Sequence, residues 1–352
     1  MPYLSLEPPD EREFARTDPR GFLARAPDGA IIDEVQRVPE LLSYLQQIVD
    51  DRPRPGAFVL TGSQHFGLIS AVTQSLAGRT ALLQLLPLAL DEVRRFSQPA
   101  GSLNEVLWTG GYPRVYDQQL PAHEWLGNYV ATYVERDVRQ VLRVADLVTF
   151  QTFLRRCAGR TGQLLNLSGL GADCGITQPT AKSWLSVLEA SYIVFRLPAL
   201  HTNVRKRLVK APKLYFHDTG LLCYLLGIRT PEQLETHPLR GAVFECWVVS
   251  EILKYHLHRG TTPTLHFYRD RQGHEVDLLI DRGDDRVAAD AKSGRTIAAD
   301  AFDALARFRM LGPPRAPHRD VVVHGGDATQ TRSAGELLAW TDITTHGWMG
   351  LR

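Results

Sequence analysis

Residues 30–42 read AIIDEVQRVPELL. Ala30, Ile31 and Ile32 form a short apolar run, Asp33 and Glu34 close it, and a helical pattern follows at Leu41, Leu42, Leu45, Ile48 and Val49. Residues 3–6 (YLSL) and 57–60 (AFVL) supply two further strand-like runs. Strands alternating with a helix predict a parallel sheet, whose ligands bind at the carboxyl ends of its strands. Asp33 and Glu34 lie at one such end, and Thr61, Gly62, Ser63 and Gln64 at another.

Composition sets outer limits. A chain of 352 residues predicts two to four domains. Its 44% hydrophobic and 22% charged residues are an ordinary globular mixture. With 40 Lys and Arg against 39 Asp and Glu, the net charge is +1, so attraction to nucleic acid must come from local patches. Cys157, Cys174, Cys223 and Cys246 are scattered without C-x-x-C spacing, which disfavours structural zinc and a disulfide framework and fits a reducing compartment. The start, MPYLSLEPPDEREF, lacks signal-peptide character, and no apolar run approaches the ~20 residues that span a bilayer. A cytoplasmic protein without membrane attachment is expected.

Two readings of Asp33 compete. As a helix N-cap it would pair with Gln36 in something close to a capping box. As the first of two catalytic carboxylates it would hold Mg²⁺, with Glu34 polarising a water. The second reading requires a phosphate-binding loop, G-x-x-x-x-G-K-[ST], ahead of it. The 29 residues before Ala30 contain no such loop.

The order DEVQRVPELL, FVLTGSQ, SLAGR and LLPLAL resembles a widespread group of prokaryotic AAA-type ATPases that carry a C-terminal domain of unknown function. The likeness continues in GGYPRVY (110–116), YVERDV (133–138), GRTGQLLN (159–166), SWLSVLEASYIVF (183–195), KLYFHDTGLL (213–222), HPLRGAVFE (237–245) and VDLLID…AKSG (276–294). By this resemblance Asp33, Glu34, Ser63 and Arg79 match the family's metal, water, sensor and arginine positions. The resemblance also implies that the first βα unit, with its Walker A loop, is missing here. ATP is therefore expected as a cofactor in intact relatives only, because the loop's backbone N–H groups and lysine supply most phosphate binding.

Residues 167–188 (LSGLGADCGITQPTAKSWLSVL) predict a helix-turn-helix. Ser168 is expected to cap the first helix, Gly175 to end it and Thr177 to cap the second, with Pro179 in its first turn. Ala181, Trp184, Leu185 and Leu188 form the inward stripe, leaving Gln178, Thr180, Lys182 and Ser186 outward. YIVFRLPAL and KLYFHD read as strands, which makes a winged helix. Between them RKRLVKAPK carries Arg205, Lys206, Arg207, Lys210 and Lys213, a basic wing suited to DNA phosphates. The same module also serves protein partners.

Residues 273–294 (GHEVDLLIDRGDDRVAADAKSG) read as two strands around a Gly-Asp-Asp turn. Asp290 and Lys292 share a strand face, and Asp277 falls opposite or diagonal to Asp290. Glu245 lies on the apolar face of a helix, where an unpaired charge is costly; a metal or a lysine must compensate it. Glu, then Asp, then Asp-x-Lys is the pattern of PD-(D/E)xK nucleases, to which the family's C-terminal domain is commonly assigned, usually with Glu where Asp290 stands. In that reading Glu245, Asp277 and Asp290 hold Mg²⁺, and Lys292 orients the nucleophile or neutralises developing charge. The expected organisation is a partial P-loop ATPase sheet (1–95), a helical lid-like segment (96–145), a winged helix-turn-helix (146–235), a nuclease-like α/β domain (236–330) and a tail (331–352). A DNA nuclease and a non-catalytic DNA- or protein-binding regulator are the two function classes that this organisation allows.

Overall fold

The computed structural model describes residues 1–62, 76–134, 147–200, 210–281, 286–310 and 318–348. Two units are present, residues 1–82 and 83–352.

In the first unit β1 (Tyr3–Ser5), β2 (Ala30–Asp33) and β3 (Phe58–Leu60) form a parallel sheet in the order β1-β2-β3. Alternation sets its faces: Leu4 and Ile32 are paired in register and buried, whereas Tyr3, Ile31 and Val59, also in register, share the other, more exposed face. Helices α1 (Pro9–Thr17), α2 (Pro19–Ala24) and α3 (Leu41–Asp51) complete the unit. Phe22, Leu41, Leu42 and Leu45 join Leu6 and Ile32 in one apolar core. Asp18 caps α2 by accepting from the Gly21 N–H at 2.8 Å.

The second unit opens with α4 (Leu90–Val93), α5 (Leu103–Thr109), α6 (Pro113–Asp117) and α7 (Ala122–Tyr129). Next come α8 (Leu147–Ala158), α9 (Leu167–Asp173) and α10 (Gln178–Ala190). Thr177 caps α10 as expected, and Gly175 takes φ 69° after α9. Ser168 does not cap α9; it lies one residue inside, and Asn166 accepts from the Gly169 N–H at 3.0 Å instead. The stripe Ala181, Trp184, Leu185 and Leu188 is buried, with Phe150 and Phe153 edge-on to Trp184. β4 (Val194–Leu197) and β5 (Lys213–Phe216) pair antiparallel behind these helices. α11 (Thr219–Leu225) and α12 (Pro231–Glu235) lead into the long helix α13 (Arg240–Leu257).

A six-stranded mixed sheet follows, in the order β10-β11-β9-β8-β7-β6. Its strands are β6 (Leu265–Arg269), β7 (Glu275–Asp281), β8 (Arg286–Lys292), β9 (His318–His324), β10 (Gln330–Arg332) and β11 (Gly335–Ala339). α14 (Asp303–Met310) lies between β8 and β9 in sequence. Strand alternation divides the apolar residues between two cores. Val287, Ala289 and Val323 pack with α13 residues, and Ala288, Val322 and Leu337 pack with Leu305 and Phe308 of α14. Residues from 331 onward were expected to be a tail. Instead β11 pairs with β9 inside this sheet, and Trp340 and Trp348 are buried, because Leu337, Leu338 and Ala339 supply a further apolar strand. Among the described residues no helix is long and apolar enough to cross a membrane.

Three of the quoted motifs meet at one buried carboxylate. Asp218, in KLYFHDTGLL, accepts from the Gly111 N–H at 2.6 Å and the Leu221 N–H at 2.7 Å, capping α11 and gripping GGYPRVY together. The Gly111 carbonyl in turn accepts from the Leu88 N–H of LLPLAL at 2.7 Å. Such closeness excludes side chains: a Cβ on Gly220 would stand 2.4 Å from the Thr109 carbonyl oxygen and one on Gly111 2.4 Å from that of Leu88. Both obstacles are backbone and cannot rotate away. Gly220→Ala is therefore expected to destabilise the second unit by about 1–3 kcal/mol through overpacking. Chemical denaturation measures this, and a change within about 0.5 kcal/mol would show that the junction can relax.

Candidate metal centre

The first carboxylate pair is held by its own sheet. Asp33 closes β2 and accepts from the Tyr3 hydroxyl at 2.7 Å, the Thr61 hydroxyl at 2.5 Å and the Ser5 hydroxyl at 3.4 Å. The Thr61 bond, then the Tyr3 bond, holds its carboxyl below the usual range, and the Tyr3 hydroxyl is raised by the same contact. Asp33 is thus the acceptor for two neighbouring strand ends and not a helix cap. Glu34 takes φ 57° and accepts from the Gln36 amide at 2.8 Å and from Arg37 at 3.3 Å. Arg79 grips Asp50 of α3 with two nitrogens, at 2.5 and 3.0 Å. Its guanidinium therefore serves a pair beside a cleft of about 420 Å³ lined by Leu45, Phe58 and Thr80. Ser63 lies outside the described residues.

The second set converges from three elements. The β7–β8 ladder runs from Asp281↔Arg286 to Leu278↔Ala289. At the next position side chains replace it: the Asp277 N–H donates to Asp290 Oδ1 at 3.1 Å, and the Ala291 N–H donates to Asp277 Oδ2 at 3.0 Å. Each carboxylate thereby satisfies the opposite strand's free N–H, and this locks Asp277 beside Asp290. Lys292, two residues on and exposed, places its ammonium 3.6 Å from Asp290 Oδ2. Glu245 reaches in from α13, and its carboxylate lies with those of Asp277 and Glu275 so that one oxygen from each falls within 4.8 Å of the others.

Glu245 is compensated by a lysine. Lys213, on β5 and 1% exposed, donates to Glu245 Oε1 at 2.8 Å, pairs with Glu275 Oε1 and stands 3.8 Å from Asp277 Oδ1. The Tyr215 hydroxyl donates to the same Glu245 oxygen at 2.6 Å. Burial works to lower the Lys213 pKa, but the charges of Glu245, Asp277 and Glu275 outweigh it, and the ammonium stays protonated well above its usual range. Arg269 also pairs with Glu275 at 3.0 Å, and Lys213 shared among three acids does not neutralise each. Burial, then the charge of Asp277, pushes Glu245 up to about 7 despite Lys213. Burial, then the same Asp277 charge, pushes Asp290 up to about 7 against the pull of Lys292.

Asp277 joins two sets. Asp290 and Lys292 flank it on the β7–β8 pair, and Glu245 and Glu275 lie on its other side. Among the described residues, the three carboxylates close enough to one another to share one ion are those of Glu245, Glu275 and Asp277. Glu275, Lys213 and Tyr215 belong to this arrangement without having been among the expected site residues. Strand period carried a signal for each: Glu275 is two residues from Asp277, and Lys213 is two from Tyr215. Lys213 had been grouped with the basic wing, and that placement is corrected. β5 turns its side chain into the interior, where the carboxylates consume its charge. Of the other candidates for nucleic-acid contact, Gln178, Lys182 and Lys210 are exposed, whereas Thr180 is half-buried and bonded to Thr177. Arg205, Lys206 and Arg207 lie outside the described residues.

Three family models match the chain: an AAA domain at residues 1–94, a domain of unknown function (DUF8612) at 100–232 and a second such domain (DUF4143) at 240–343. The chain is also similar to uncharacterized protein Rv2008c of Mycobacterium tuberculosis and to uncharacterized protein Mb2031c of Mycobacterium bovis. Each is 30% identical over 322 residues, a match covering 88% of this chain and 71% of the relative.

The raised acid pKa values carry a sign. An unfolded Asp290 titrates at 3.8, and the folded one at about 7. Between those values the folded state keeps a proton that the unfolded chain has lost, so this group's contribution to stability falls as pH rises through the window. Asp290→Asn keeps the oxygen that accepts from the Asp277 N–H and removes the titration. Thermal melts from pH ~5 to ~7.5 are expected to lose stability less steeply in Asp290→Asn than in the unaltered chain. Parallel profiles would show that Asp290 is not the titrating group.

Proposed function

The chain belongs to one family with these mycobacterial relatives and carries an AAA domain, and we propose that its C-terminal α/β region is a divalent-metal centre of nuclease type acting on DNA. The observation that carries this reading is the position of Asp277, whose carboxylate lies within ion-sharing distance of those of Glu245 and Glu275 and is tied on its other side to Asp290, beside Lys292. Acids that repel one another, with two pKa values raised to about 7, create demand for a cation. Asp277, Asp290 and Glu245 would hold Mg²⁺. When bound, the ion supplies Lewis acidity and a water of lowered pKa. Lys292, the exposed member, would orient the attacking water or stabilise charge on the phosphate. The shorter carboxylate of Asp290 suits this arrangement because it is already held against the Asp277 backbone.

Helices α9 and α10 with the β4–β5 pair form the winged helix-turn-helix of this reading. DNA phosphates would meet Lys210, Arg205, Lys206 and Arg207 on the wing and Gln178, Thr180 and Lys182 on α10. In the AAA domain, Asp33 is kept ionised at a strand's carboxyl end, as a nucleotide-bound Mg²⁺ requires. Glu34, Ser63 and Arg79 would serve as the water-polarising, sensor and arginine positions of such a nucleotide site.

A second reading has its own observation. The Lys213 ammonium already balances part of the acidic cluster, as expected of a degenerate centre in a non-catalytic DNA- or protein-binding regulator. Metal separates the two. If the first reading holds, millimolar Mg²⁺ or Mn²⁺ raises the melting temperature by mass action, and Asp277→Ala abolishes the rise. Plasmid DNA is then cut in Mn²⁺ by the unaltered chain and not by Lys292→Ala. A metal-dependent rise without cutting favours the regulator, and no rise at all removes the metal from both.

DNA affinity is expected to fall with salt. Replacing Arg205, Lys206 and Arg207 together with alanine should weaken binding to duplexes of any sequence and reduce the salt slope by about 3. An unchanged slope would place the DNA surface elsewhere.

A further inference from the structure

Lys213 comes from outside the nuclease-like sheet. It sits on β5, the second strand of the hairpin that follows the helix-turn-helix, whereas its acidic partners sit on α13 and β7. Its side chain is 1% exposed and runs past the rings of Phe267 and Tyr215, with Nζ 5.6 and 6.0 Å from their centroids. The strand is fixed from behind, where the Gly162 N–H donates to the Leu214 carbonyl at 2.8 Å and the Leu165 N–H to the Pro212 carbonyl at 2.8 Å. The ammonium is therefore enclosed on a strand that is itself held in place. It ends among the three carboxylates whose oxygens lie close enough together to share one ion.

We propose that Lys213 is a tethered cation competing with the divalent ion for the Glu245–Asp277 side of the centre, so that metal loading requires the ammonium to give way. The inference rests on the metal reading above and adds its regulation. Two like charges cannot share that space: at ~4 Å they repel strongly even under protein screening. Glu275 pairs with Lys213 and with Arg269, and its carboxylate is one of the three close enough together to share the ion. Lys213 is thus a positioning residue for the ion. It ties the state of the centre to the hairpin of the DNA-binding module proposed above.

The test uses the full chain and Mn²⁺ alone, with binding measured by calorimetry and by the loss of the free-Mn²⁺ paramagnetic signal. Lys213→Met keeps the length of the side chain and removes its charge. It is expected to bind Mn²⁺ at least about tenfold tighter than the unaltered chain. Lys213→Arg keeps a cation in place and should show no such gain. Should Lys213→Met not fold even in Mn²⁺, Lys213→Gln decides the matter: it removes the charge, keeps a polar group that can donate to Glu245, leaves every carboxylate intact, and should also tighten Mn²⁺ binding. Asp277→Ala placed in either background must abolish the gain. If both variants bind as the unaltered chain does, with binding still lost in Asp277→Ala, the competition is overturned and the metal reading stands. If no form binds Mn²⁺ at millimolar concentration, both fall together.

Discussion

A buried ammonium must be paired, and the acidic centre of the second unit is organised around that constraint. Lys213 is taken from water by β5, Tyr215 and Phe267, and it recovers its solvation from Glu245, Glu275 and Asp277. Removing one partner would strand a charge in an apolar setting, so each element has to deliver its acid to the same place. α13 must present Glu245 inward, and β7 must turn Glu275 and Asp277 to one side. This one requirement joins the β4–β5 pair to the mixed sheet. Their apolar residues accordingly belong to a single core, which contains Trp184 of α10, Phe216 of β5 and Val287 of β8.

A second buried charge sets the spacing around it. Asp218, three residues beyond Tyr215, binds the backbone of Gly111 and Leu221, and the glycines at 110, 111 and 220 allow the chains to approach closely enough. Further along α13, Glu251 accepts from the Leu90 N–H at 2.9 Å and from Lys254, whose ammonium also reaches the Leu88 carbonyl at 3.0 Å. At the start of the helix Arg240 donates to the Ser293 carbonyl at 2.6 Å, just beyond Lys292. One helix therefore carries Glu245 into the centre, anchors the LLPLAL segment and secures the end of the strand that bears Asp290 and Lys292. The motifs shared with the family are in this light mostly devices for holding backbone to backbone, and the carboxylates ride on them.

The chemistry of the centre follows from an imbalance. Lys213, Lys292 and Arg269, which pairs with Glu275 at 3.0 Å, bring three positive charges, and Glu245, Glu275, Asp277 and Asp290 bring four negative ones when ionised. Burial first, and the charge of Asp277 second, push Glu245 and Asp290 up to about 7, so that a proton can take up the deficit. A divalent ion would do so equally well. Under the proposed metal reading the exposed Lys292 would face substrate and the enclosed Lys213 the ion.

Much of the plan was legible in the chain itself. Apolar runs at 30–32 and 57–60 specified the parallel strands, because burying one face of a sheet leaves few alternatives to strict alternation. Thr177 and the stripe Ala181, Trp184, Leu185 and Leu188 specified α10, since capping and a 3.6-residue period are local properties. Asp290 and Lys292 two apart, with Asp277 on the preceding apolar run, specified the β7–β8 pair for the same local reason. Asn166 displaced Ser168 as a cap because a one-residue shift at a helix start costs little and is settled by packing. β11 was overlooked because three apolar residues are too short a run to declare a strand. Lys213 was misread because its sequence neighbours are basic, and composition cannot say which way a strand turns. Only tertiary structure brought β5 against α13 and β7, 32 and 64 residues further along the chain, and so turned a surface charge into the buried partner of three acids.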